Sequence, residues 1–139
     1  MSKSQYVNSL KFIDRVIKNK TEGVSHEGSM KQLDFPANCM NWNLGHLLVY
    51  REQILGRIDG ETEADEAEFA MYGAGSKPLT DSEAAMPLST LLTRLDDASA
   101  RLIAAIEAMP SEKLDEVLDA ERNITLRDRV NFYILFHEA

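Results

Sequence analysis

The sequence predicts an all-α fold, and three observations carry that prediction. Leu88, Leu91, Leu95, Ala98, Leu102, Ala105 and Met109 recur at alternating spacings of three and four without a miss, the period of one buried helix face. Seven glycines and four prolines in 139 residues are too few for a chain of short strands and tight turns. Three further amphipathic segments repeat the same period, so the expected architecture is a four-helix bundle with one long crossover.

The first helix is expected near residues 4–20, where Tyr6, Leu10, Ile13 and Ile17 form one stripe. A loop follows over 21–40, marked by Gly23, Gly28 and Pro36, with a helical turn expected near Met30 to Leu33. The second helix is placed at 42–58. Asn41 is read as its N-cap, whose side-chain oxygen can accept from an orphan N–H of the first turn. Leu44, Leu47, Leu48, Ile54, Leu55 and Ile58 make its broad apolar face, and Gly60 is the stop signal.

Residues 59–87 read as a long connection: an acidic surface patch at Glu61, Glu63, Asp65, Glu66 and Glu68, then a turn-rich loop from Met71 to Pro78. Long loops in compact domains often cover a site. The third helix is expected at 88–108, with Pro87 at its start and Pro110 just past its end. The fourth begins after Thr125, with Asp128 in its first turn. Leu126, Val130, Tyr133 and His137 form its stripe. It meets no capping residue before Ala139, so the reading is one domain over 1–139 whose fourth helix is cut short and continues in the natural polypeptide.

Composition excludes several function classes. The net charge is −8, which repels phosphates and argues against nucleic acid as a partner. The single cysteine, Cys39, rules out an internal disulfide and agrees with a reducing cytoplasm. No signal-peptide core and no run of membrane-spanning length is present. A soluble, cytoplasmic protein is expected.

His46 and His137 carry the chemistry. Each falls on the inward stripe of an expected helix, and imidazoles converging inside a bundle are a usual way to hold a transition metal. The competing reading is two structural histidines. His26 reads as a solvated loop residue and Cys39 as a small buried hydrophobe. Tyr50 and Gln53, one and two turns beyond His46, are either neighbours of the ligands or plain wall, and Trp42 reads as core packing. Glu52 and Glu138 are rotated about 100° from their neighbours, which points them to solvent or a helix end.

Asn41-Trp42-Asn43-Leu44-Gly45-His46-Leu47-Leu48 resembles the second-helix motif of the DinB/YfiT-like family, and Phe136-His137-Glu138-Ala139 resembles the start of its fourth-helix motif. The resemblance implies an up-down-down-up four-helix bundle and a three-histidine metal site. It maps two ligands onto His46 and His137 and sets the third four residues after His137, outside this sequence. Such a site, with one open position, suits Zn²⁺ or Ni²⁺ and can polarise a substrate or acidify a bound water or thiol. The implied function is a metal-dependent enzyme, a thiol-dependent S-transferase using a low-molecular-weight thiol or a hydrolase, working as a homodimer. The alternative is a non-enzymatic dimeric bundle that binds a ligand or partner in a stress response, with its metal structural or absent.

Overall fold

Capping chemistry explains where the first helix and three of the shorter ones begin. The computed structural model describes residues 1–35 and 37–137. Helix α1 (Lys3–Thr21) opens on a capping box in which Ser2 and Gln5 satisfy each other's backbone N–H groups. A single turn, α2 (His26–Ser29), is capped by Ser25. Helix α3 (Met40–Ile58) follows, then α4 (Glu66–Tyr72) and α5 (Leu88–Ala108). A 3-10 turn (Ser111–Asp115) and a small antiparallel ribbon, β1 (Val117–Asp119) with β2 (Ile124–Thr125), lead to α6 (Leu126–Val130). Helix α6 continues as a wider π-helical stretch, Asn131–His137. The protein is therefore mainly α-helical, as expected. Among the described residues no helix is long and apolar enough to cross a membrane.

The stripe that predicted α5 is its buried face. Leu88, Leu91, Leu95, Ala98, Leu102 and Met109 are all buried, and the helix bounds coincide with the expected ones. One part of the core gathers Tyr6, Leu10, Ile54, Leu55, Leu102, Ile106, Leu126 and Val130. Another gathers Leu44, Leu48, Leu88, Leu91 and Leu95. Between them runs a polar layer. Arg51, only 2% exposed, donates to Asp14 at 2.9 Å and to the Leu95 carbonyl at 3.4 Å, and Ser99 donates to Asp14. α1, α3 and α5 are thereby pinned at one level.

Several local expectations are corrected. Helix α3 starts at Met40 with Cys39 as its N-cap, so Asn41 is not the cap. Asn41 is fully buried and donates to the Met86 carbonyl at 3.0 Å instead. The turn expected near Met30 to Leu33 falls earlier, at α2. The long connection contains α4, opened by an Asp65–Glu68 capping box where the sequence predicts only an acidic surface patch. His26 is not merely solvated: its Nδ1 accepts from Leu88 N–H at 3.2 Å and its Nε2 donates to the Ser82 carbonyl at 2.8 Å, which caps α5. Pro36 and Glu138 lie outside the described residues.

Candidate metal centre

Helix α3 places Trp42, His46 and Tyr50 on one line by their spacing of four. The crossover lies across that line, and each of the three side chains meets one of its residues. Trp42 Nε1–H donates to Ser76 Oγ at 2.8 Å. The Tyr72 carbonyl accepts from His46 Nδ1–H at 2.6 Å, and Ala74 N–H donates to the Tyr50 hydroxyl at 3.3 Å. The long connection thus lies over this face of α3.

His137 arrives from the other side on the π-helical stretch, a geometry frequent at functional sites. Its Nε2 stands 2.8 Å from His46 Nε2, so the two sequence-predicted site residues meet. The rings form an aromatic cluster. His46 stacks on Trp42 at 4.4 Å and meets Tyr50 edge-on at 4.7 Å. His137 contacts Tyr50 at 5.0 Å and Tyr133 at 5.6 Å. Tyr50 and Tyr133 stack at 5.0 Å, and the Tyr133 hydroxyl donates to Gln53 Oε1 at 3.0 Å. Burial, then the nearby Tyr50, pushes the Tyr133 phenol above its ordinary value, which keeps it a proton donor. Trp42 and Tyr50 therefore border the imidazoles and Gln53 meets them through Tyr133, while Trp42 is also buried, as expected of core packing. Cys39 is buried, as expected, with its thiol 3.7 Å from the Leu79 carbonyl.

Proton positions test whether the pair fits an ion. The Tyr72 carbonyl can only accept, so Nδ1 is the protonated nitrogen of His46 and its Nε2 lone pair faces His137, whose Nε2–H donates to it at 2.8 Å, a proton that an ion would replace. A histidine whose second nitrogen donates to a backbone carbonyl has the arrangement of a metal ligand. Two imidazole nitrogens sharing an ion at 2.0–2.1 Å stand roughly 3.0 to 3.4 Å apart, so the pair needs to open by only a few tenths of an ångström. The donor set fits a borderline ion such as Zn²⁺ or Ni²⁺. His137 Nδ1 is buried with no hydrogen-bond partner among the described residues. Among those residues no group of three or more His, Cys, Asp or Glu side chains converges; His46 and His137 are the two imidazoles that meet.

A model of the DinB superfamily matches residues 29–139. The chain belongs to the DinB superfamily. A search of curated proteins finds no match to it. The DinB match spans α3, the crossover and the stretch carrying His137, the parts that build this centre. Sequence reasoning missed Tyr72 and Ser76, which meet His46 and Trp42 through a backbone carbonyl and a loop hydroxyl, groups that leave little sequence trace.

The pair also makes stability depend on pH. Burial pushes the His137 imidazole below its ordinary 6.5, and the adjacent His46 adds to the effect. In the unfolded chain the ring regains its ordinary value, so the unfolded state binds more protons as pH falls below about 6.5. Stability contributed by the neutral ring is complete above that pH, and it is lost on acidification until the folded ring also protonates. Thermal unfolding of the ion-free protein between about pH 7.5 and 5 should therefore show a decline that His137→Gln reduces.

Proposed function

We propose that this DinB-superfamily chain is a divalent-metal-dependent enzyme in which His46 and His137 supply two of three histidine ligands. The observation that carries the reading is the 2.8 Å approach of the two Nε2 atoms, with the other nitrogen of His46 committed to the Tyr72 carbonyl. When bound, a Zn²⁺ or Ni²⁺ ion would supply Lewis acidity, able to acidify a water or a low-molecular-weight thiol. The chain's own residues hold and shape that position. His46 presents its Nε2 lone pair and His137 the Nε2 that donates to it, the Tyr72 carbonyl orients one ring, and the rings of Trp42, Tyr50 and Tyr133 wall the centre.

The same proposal includes an up-down-down-up four-helix bundle built from α1, α3, α5 and the α6 segment. Contacts along the helices support it. Asn41 meets Met86, Arg51 meets Leu95 and Glu52 meets Arg101, an order that makes α3 and α5 parallel. Lys3 reaches the Glu107 and Met109 carbonyls while Asp14 meets Ser99, which turns α1 against α5. Tyr6 donates to Asn131 at 2.5 Å, at the shared beginning of α1 and the last segment.

Metal analysis of the purified protein, followed by thiol-transfer and hydrolysis assays on the Zn²⁺- and Ni²⁺-loaded forms, tests the function. The expected result is metal-dependent turnover in one of the two assays that chelation abolishes. Tight metal binding with no turnover in either would favour the non-enzymatic bundle.

A further inference from the structure

A glycine inside a helix weakens it relative to alanine, and an interior glycine often marks a close approach by another group. Gly45, directly before His46, is buried within α3. The ring of Tyr72 fills the space beside it. A Cβ on Gly45 would lie 2.2 Å from Cδ1 and 2.4 Å from Cε1 of that ring, well inside contact distance. Tyr72 is 1% exposed and its hydroxyl is fully engaged. It donates to Asn41 Oδ1 at 2.9 Å and accepts from Met86 N–H at 2.9 Å. Asn41 closes the loop by donating to the Met86 carbonyl at 3.0 Å. The carbonyl of the same Tyr72 is the partner of His46 Nδ1.

We propose that Tyr72 is a positioning residue for His46: its ring, seated on Gly45 and locked through Asn41 and Met86, holds its carbonyl where it fixes the His46 proton on Nδ1. That tautomer leaves the Nε2 lone pair facing His137. Without the carbonyl the proton is free to occupy Nε2, where it reverses the hydrogen bond with His137 and takes the lone pair that an ion would need. The bonds from Trp42 to Ser76 and from Ala74 to Tyr50 brace the strap on either side of this contact. The consequence for ion binding rests on the metal reading above, but the tautomer exists in the ion-free protein and can be read there.

The test is nitrogen-15 NMR of the histidine side chains in ion-free protein, a tractable spectrum because the chain has only three histidines, together with Zn²⁺ titration calorimetry. Gly45→Ala displaces the ring. Tyr72→Phe removes the hydroxyl lock while keeping ring and carbonyl, and it serves if Gly45→Ala fails to fold by circular dichroism. The native protein is expected to show His46 protonated on Nδ1. Gly45→Ala should populate the other tautomer and weaken Zn²⁺ binding about 10- to 100-fold, the usual effect of losing a ligand's hydrogen-bond partner. Tyr72→Phe should move both readouts in the same direction by less. An unchanged His46 tautomer in every folded variant overturns the positioning role, whatever the affinities. Native protein that takes up no Zn²⁺ overturns the metal reading, while a tautomer shift in the variants still supports the role of Tyr72.

Discussion

Replacing His46 with alanine is expected to weaken Zn²⁺ or Ni²⁺ binding by at least about 100-fold while leaving a folded helical protein, since a direct ligand outweighs the 10- to 100-fold effect of its hydrogen-bond partners. The substitution removes one of two convergent nitrogens and leaves His137 Nε2 facing an empty space. It also leaves the Tyr72 carbonyl without its donor. The half-buried imidazole is bordered by Trp42 and Tyr50, so its loss opens a cavity costing about 1–3 kcal/mol. That is smaller than the roughly 5–15 kcal/mol by which domains of this kind are stable. Titration calorimetry gives the affinity and far-ultraviolet circular dichroism the fold. Unchanged affinity would make His46 a structural histidine.

Glu52→Ala is expected to do the opposite: a large loss of stability with the two imidazoles still intact. Glu52 is 0% exposed and accepts from Arg101, from the Glu63 backbone N–H at 2.7 Å and from the Thr62 hydroxyl at 3.4 Å. It therefore joins α3 to α5 and to the start of the crossover. Removing one member of a buried pair costs about 3–5 kcal/mol. Arg101 keeps Asp97 at 2.8 Å and Glu63 at 3.4 Å, which lowers the expected loss to about 2–4 kcal/mol. Glu52→Gln preserves the shape and the acceptor for Glu63 N–H, so it should cost less than Glu52→Ala. Urea unfolding of the three proteins checks this. Equal stability of Glu52→Ala and native protein would mean that the network contributes nothing.

Elements whose signal is repeated along one helix were readable from the sequence. The Leu88 to Met109 stripe defines α5 to the residue, and Thr125 with Asp128 marks the start of α6. That His46 and His137 turn inward was readable for the same reason, whereas their meeting rested on the family resemblance, which makes their helices neighbours. Helix α4 was not: seven residues are too few to establish a period, and its capping box is written in the same acidic letters as a surface patch. Glu52 was misread because rotation about α3 shows only which way a side chain leaves its own helix. The crossover and Arg101 of α5 cover that face. Asn41 looked like a cap because its residue type suits one, while its real partners, Tyr72 and Met86, are far away in sequence. The carbonyl that orients His46 belongs to Tyr72, 26 positions away, and a backbone group has no residue type to read. Gly45 was the one available hint.

X-ray absorption at the zinc edge of protein carrying one equivalent of Zn²⁺ reads whether His46 and His137 share one ion. Nitrogen donors are expected at about 2.0–2.1 Å with the outer-shell scattering of imidazole rings. That imidazole contribution should fall in both His46→Ala and His137→Ala. A spectrum without imidazole scattering, or one that neither substitution changes, would contradict a shared ion.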